Sequence, residues 1–346
     1  MNRRFFLVAL SALALAGCAP KPQSATAPAD APADNRVVLY CSVDDVFAKP
    51  LIEKLRQRTG LDIVALFDTE STKTAGLTTR IRTEKSRPRA DVLWTSALLQ
   101  TLLLSQDGLL DAYDSPAARD LAPRFRGIGW AGVGTRARVL VTATGRGGFG
   151  TGAARTMDSL TFAPDAMDKT GHSNPQFGTA SDEATALFTR NPQKALNWYR
   201  DLKAAKTRIT PGNGDVARAI AEGDLDYGWT DTDDYLAQKK RGKQIGVMPV
   251  KRDNVIVPGA VAIVKGAPHP ENARKLFDAI ASKQGEAALI AQMPGVFSLR
   301  ALNDVNNWKS GGEDFAFLAK APVDDYAKWP QSWAKIREPL AQIFQR

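Results

Sequence analysis

Three carboxylates crowd into four positions, Asp231, Asp233 and Asp234, just after the short run Tyr227-Gly228-Trp229. Like charges this close disfavour one another's ionisation unless solvent, a cation or donors from elsewhere compensate them. Such oxygens suit a hard cation, or the ammonium or hydroxyl of a small solute. A lone acidic loop is commonly only a solvated turn leading into a helix N-cap. Here, however, four other strand ends carry polar loops: Ser42 to Asp44, Asp68 to Thr74 with Ser71 and Thr72, Thr95-Ser96, and the turn around Asn213. Helix starts near Ser71-Thr72 and at Gly178, Thr179 and Ser181 offer backbone N–H groups, which favour anions. Asn213-Gly214 adds a turn whose amides can donate. Arg136 or Arg138 can grip an anion bidentately, or can equally form a structural ion pair. Trp94, at a strand end, can stack on a ligand or simply fill the core.

These residues need a scaffold that gathers strand ends. Val37 to Cys41, Leu61 to Phe67 and Ala90 to Trp94 are short apolar runs of the kind buried in parallel sheets. Between them, Pro50 to Arg58 has helical spacing closed by Gly60, and Leu77 and Ile81 mark a second helix. Three β-loop-α units predict an α/β class with a doubly wound mixed sheet flanked by helices. Open sheets of this kind bind ligands beyond the carboxyl ends of their strands. Trp130 to Thr142 reads as a long strand pair, Gly145 to Gly152 as a plain loop, and Phe177 to Glu183 as the capped approach to a helix. A short helix from Ala217 to Gly223 and a brief strand, Asp226 to Trp229, precede the acidic loop. Strands over Ile245 to Val250 and Val255 to Val264 and helices over Pro270 to Ser282 and Gln284 to Gln292 follow. The Trp- and Lys-rich tail from Asn303 reads as a surface wrap.

With 346 residues the chain exceeds one ordinary core. Residues 1–17 read as a leader: Arg3-Arg4, a short apolar stretch, then Leu15-Ala16-Gly17-Cys18. Residues 18–36, rich in Pro and Ala, read as a flexible tether. Of two cysteines, Cys18 is then the lipidation site, and Cys41 ends an apolar strand as a buried thiol. The formal charge of +9, two lower without Arg3 and Arg4, is dispersed, which argues against nucleic acid. His172, in a loop, and His269 are the only histidines, and no G-x-S-x-G or H-E-x-x-H motif occurs. An enzyme is therefore not expected, a metal-dependent phosphohydrolase being the nearest catalytic alternative, and no cofactor is expected.

Several stretches, in order, resemble one family: Leu39-Tyr40-Cys41-Ser42-Val43-Asp44, Asp68 to Thr74, Arg89 to Trp94, Phe177-Gly178-Thr179, Gly228 to Asp234 and Lys265 to Ala273. They resemble type II periplasmic solute-binding proteins of ABC importers, in the ferric-iron or aminoethylphosphonate cluster, here with a lipobox around Cys18. The resemblance implies two α/β lobes, residues 37–137 plus 260–346 and residues 138–259, that hinge shut on a solute. It implies a monomer in the periplasm, anchored by lipid, that serves a permease and its ATPase. The solute site would draw on Ser42, Asp44, Ser71, Thr72, Thr95, Ser96, Arg136, Gly178, Thr179, Asn213, Asp231 and Asp233. Ferric-binding relatives place two tyrosines where this chain has Asp233-Asp234, a histidine at Asp44 and a glutamate at Ser96. Phenolate ligands are thus lost, and a hard metal would have to use Asp44, Asp233 and Asp234. A small anion or zwitterion, such as a phosphonate or a phosphorylated compound, is the expected solute, with ferric iron or another hard metal as the alternative.

Overall fold

The computed structural model describes residues 34–68, 75–144, 168–250 and 254–345. Cys18, Ser71, Thr72 and the Gly145 to Gly152 loop lie outside them. The first β-α units form where the apolar runs require: β1 (Arg36–Cys41), α1 (Asp45–Thr59), β2 (Asp62–Phe67), α2 (Ala75–Thr83), β3 (Val92–Thr95) and α3 (Leu99–Gln106). Val37, Leu39 and Cys41 are wholly buried, as expected of a strand covered on both faces. Burial pushes the Cys41 thiol up to about 12. Native protein should therefore show no labelling of Cys41 by a thiol reagent over an hour; rapid labelling before unfolding would refute its burial.

The chain continues through β4 (Arg126–Gly127), β5 (Trp130–Ala143), β6 (Thr170–Ser173), α4 (Gly178–Arg190), α5 (Pro192–Ala204), β7 (Arg208–Thr210) and α6 (Asn213–Glu222). Then come β8 (Tyr227–Asp231), α7 (Thr232–Lys240), β9 (Ile245–Met248), β10 (Ile256–Ile263), α8 (Pro270–Ala281) and α9 (Lys283–Gln292). The tail adds β11 (Lys309–Ser310), β12 (Glu313–Asp314) and α10 (Trp329–Phe344). The large sheet has the order β2-β1-β3-β10-β5-β8-β6-β7, with β4 and β9 also paired to β5. Pairing is parallel at each end of this order and antiparallel around β10 and β5.

The expected strand pair at Trp130 is instead one 14-residue strand, β5. It changes partners along its length. Trp130 to Ala137 pair with β10, and Arg138 to Thr142 pair with β8. Opposite the first half, the β10 register shifts between Pro258 and Ala260. Gly259 sits in this bulge because a Cβ there would lie 2.9 Å from the Val133 carbonyl oxygen and 3.0 Å from that of Thr95.

Two further expectations are corrected. Phe177 to Glu183 is a helix start as expected, but α4 begins at Gly178 rather than Ala184, and its N-cap residue Phe177 supplies no side-chain cap. The tail is no surface wrap: Trp308 and Trp329 are fully buried. Arg190 of α4 grips Asp324 through two bonds of 2.7 and 2.8 Å, and Thr189 donates to the Ser332 hydroxyl of α10. An aromatic-rich segment has too much apolar area to leave in water. Among the described residues no helix is long and apolar enough to cross a membrane.

Candidate functional site

The acidic stretch does not form a loop. β8 runs through Asp231, which pairs with Arg138 of β5, and α7 begins at once with Thr232. Asp231 thus ends a strand, and Asp233 and Asp234 occupy the first turn of a helix, where carboxylates oppose the positive end of its dipole. The turn is held from outside as well. The Thr232 hydroxyl donates to the Gly295 carbonyl oxygen, and a Cβ at Gly295 would lie 2.5 Å from the Asp233 nitrogen. Gly295 has φ +88, so close approach and backbone angle both demand glycine.

Beneath the cleft, charges alternate in a buried row. Arg136 Nη1 lies 3.0 Å from Asp233 Oδ2 and 3.2 Å from Asp231 Oδ2. Arg138 Nη1 lies 3.0 Å from Asp231 Oδ1, and its Nη2 lies 3.2 Å from Glu183 Oε2. His172 Nε2 meets the same Glu183 oxygen at 2.8 Å. Burial opposes the charge on both arginines, yet the carboxylates around each outweigh it and raise its pKa above the ordinary value. Glu183 behaves alike: burial works against it, but Arg138 and His172 hold it down at about 2. Burial lifts Asp233 to about 6 despite Arg136, with Asp231 and Asp44 adding to the rise. Among the described residues, Asp233 Oδ1 is buried with no hydrogen-bond partner.

Polar side chains extend this row to the cleft wall. Asn213 Nδ2 donates to Thr179 Oγ1 at 2.7 Å and to Asp231 Oδ2 at 3.1 Å. Thr179 Oγ1 in turn donates to Asp231 Oδ2 at 2.7 Å. Asn213 Oδ1 accepts from Arg138 and from the Ser173 hydroxyl, both at 2.5 Å. Asn213 was expected in a turn; it is the first residue of α6, and its side chain is locked by these four bonds.

Above this floor opens a cleft of about 330 Å³. Asp44, Arg136, Gly178, Thr179, Asn213 and Asp234 line it, so the structure gathers six of the residues singled out from sequence. Arg218, Arg241 and Asp215 join them at the rim, and sequence reasoning missed all three. Their only signal is placement on α6 and after α7, the two helices that follow the polar strand ends. Asp231 and Asp233 lie just under the surface, bonded to Arg136. Ser42 and Thr95 are buried off the cleft, and the Thr95 hydroxyl donates to its neighbour's carbonyl at Ala97. Ser96 contributes its carbonyl oxygen, which accepts from Arg136 Nη2 at 2.6 Å. Trp94 is 2 % exposed and lines not this cleft but a small cavity that shares Arg136 with it. His172, expected in a loop, sits fully buried on β6 with Trp198, Tyr199 and Trp229 around its ring.

A cleft at strand ends and helix starts, floored by paired charges, holds small polar molecules in many folds. The sequence profile for bacterial extracellular solute-binding proteins matches residues 40–292. The chain belongs to this family. Among solved structures, this solute-binding protein is similar to iron-bound HitA from Pseudomonas aeruginosa, with a TM-score of 0.77 and 18% identity, over 90% of this chain and 99% of that one. It is also similar to AfuA from Actinobacillus pleuropneumoniae, solved with fructose-6-phosphate bound: TM-score 0.75 and 21% identity, over 89% and 98% of the two chains. A protein of Haemophilus influenzae described as uncharacterised is 22% identical over 73% of this chain and 75% of its own length. At such identities the solved structures establish the fold alone: the two-lobed α/β architecture of type II periplasmic binding proteins. This family and these structural neighbours are binding proteins.

Proposed function

We propose that the chain is the solute receptor of an ABC importer, capturing a small phosphonate or phosphorylated zwitterion and handing it to a permease without catalysis. The observation that carries the reading is the mixed lining of the cleft. Arg136, Arg218 and Arg241 share it with Asp44, Asp215 and Asp234, while α4 and α6 begin at its wall. Helix N-termini and guanidinium groups suit a phosphoryl oxygen, and the carboxylates suit an ammonium or hydroxyl. The volume suits a small molecule rather than a bare ion.

Ferric iron is the second reading, favoured by one observation. Oxygens of Asp231, Asp233 and Asp234 lie within 4.8 Å of one another. Against it, Arg136 and Arg138 already pair with two of these carboxylates, and among the described residues no tyrosine lines the cleft. A metal held by Asp44, Asp233 and Asp234 would have to share Asp233 with the Arg136 guanidinium, which already occupies its Oδ2.

In this proposal the lobes comprise residues 37–137 with 260–346, and residues 138–259. The change of β5 partner between Ala137 and Arg138 supports that division. Location in the periplasm, a lipid on Cys18 and a monomeric state complete the reading. A thermal-shift screen of the full chain tests it, using 2-aminoethylphosphonate, sugar phosphates, inorganic phosphate and ferric citrate. A solute at a hundred times its Kd stabilises the fold by about 2.7 kcal/mol. A shift with a phosphoryl compound is expected; a shift with ferric citrate alone would replace this reading by the second.

A further inference from the structure

Helix α3 lacks a start signal of its own. Leu98 occupies its N-cap position, no side chain of its own segment caps it, and no acidic residue stands in its first turn. The leading N–H groups of a helix have no partner within it, and burying them unpaired is unfavourable. Here the partner comes from 84 residues away. Asp182, on the second turn of α4, accepts from Leu98 N at 2.7 Å through Oδ2 and from Leu99 N at 3.3 Å through Oδ1. Its side chain is fully buried. The same short loop is gripped from β5, where Arg136 donates to the Ser96 carbonyl oxygen. Neither hold is local in sequence.

We infer that Asp182 is a positioning residue: it caps α3 in trans and thereby fixes the Thr95-Ser96 loop against the Gly178-Thr179 wall of the solute cleft. The inference rests on the cleft proposed above. α4 lends one end to the cleft through Gly178 and Thr179 and, one turn on, ties that end to α3. Glu183, the next residue, faces the other way and holds Arg138 and His172. α4 is thus fastened on two sides, and the apolar start of α3 is explained, since an outside carboxyl group does what Ser, Thr or Asp at its N-cap would do.

Hydrogen exchange of the full chain decides it, with Asp182→Ala and Asp182→Asn beside the wild type. In Asp182→Ala, amides over residues 95–106 should exchange at least about tenfold faster, while β1 and β10 keep wild-type protection. Asp182→Asn, which retains one acceptor oxygen, should fall between. The Kd for 2-aminoethylphosphonate should rise about tenfold or more in Asp182→Ala, by the same loss of one cap. Unchanged exchange over 95–106, or an equal loss in every strand, would overturn the inference. So would faster local exchange with an unaltered Kd. If the wild type does not bind this probe, the solute proposal fails for it, and the exchange comparison still decides the role of Asp182.

Discussion

Replacing Arg138 by Met is expected to destabilise the protein by about 3–5 kcal/mol, the range for breaking a buried ion pair from one side. The side chain is 1 % exposed and serves four acceptors: Asn213 Oδ1, Asp231 Oδ1, Glu183 Oε2 and the Trp229 carbonyl oxygen. Methionine preserves much of the volume, so the loss is one of charge and hydrogen bonds rather than of packing. Glu183 and Asp231 would remain buried with less compensation. For a chain of this size the melting temperature should fall by about 10 °C. The exposed pair Lys49–Asp45 is the contrast, both side chains being more than half exposed. Lys49→Met should leave stability nearly unchanged, as expected of an exposed ion pair. Calorimetry on the two variants checks the pair of statements, and an Arg138→Met loss no larger than that of Lys49→Met would show that the buried row does not hold the fold.

The second large effect is a decline of stability with rising pH. Burial lifts Asp182 to about 8 against its two backbone donors, and Asp233 to about 6. Unfolded aspartate titrates near 3.9, so over this interval the folded chain binds more protons than the unfolded one. Stability from these groups is therefore complete below about pH 4 and is lost as pH climbs through 6 and then 8. Glu183 has the opposite sign: held at about 2, it contributes stability above the unfolded value near 4.3, lost as acid drives it down. The melting temperature should be highest in mildly acidic solution and fall toward pH 8, with a slope of up to about 1.4 kcal/mol per pH unit for each such group. Around Asp182 the charged and titratable neighbours are Arg136 on β5, Asp231 on β8 and Tyr326 beside α10. Asp182→Asn removes the contribution of one group, so its curve between pH 6 and 8 should be flatter. Identical slopes for variant and wild type would exclude Asp182 as the source.

Much of the architecture could be read from the chain because apolar runs and their spacing are local properties. β1, β2 and β3 appear where Val37, Ile63 and Val92 stand in unbroken apolar stretches, and α1 stops at Gly60 as its spacing predicts. What escaped was decided at a distance. Asp231 to Asp234 has loop composition, yet pairing with Arg138 carries the strand through Asp231. The roles of Asp182 and Glu183 depend on α3 and β6, and nothing in their neighbours in sequence reports those contacts. The signal that existed was chemical: two adjacent acids in a helix with no other charged residue before Arg190 must find partners. His172 carries the same message, as a histidine within a strand buried on both sides. Arg136 takes the structural role, pairing with two buried carboxylates, and it does so from the lining of the cleft.

Asp231 spans the joint in β5 like a strut. Arg136 belongs to the stretch paired with β10 and Arg138 to the stretch paired with β8, and the change of partner falls between them. One oxygen of Asp231 holds each guanidinium, at 3.2 and 3.0 Å. Any change of angle at this joint alters the gap between the two arginines, and a rigid carboxylate cannot follow both. One of its contacts must lengthen as the angle grows, leaving a cationic centre partly released at the floor of the cleft. In the proposed two-lobed receptor, the number of guanidinium N–H donors left without a carboxylate at the cleft floor would follow the opening between the lobes, while the net charge of the row stays the same.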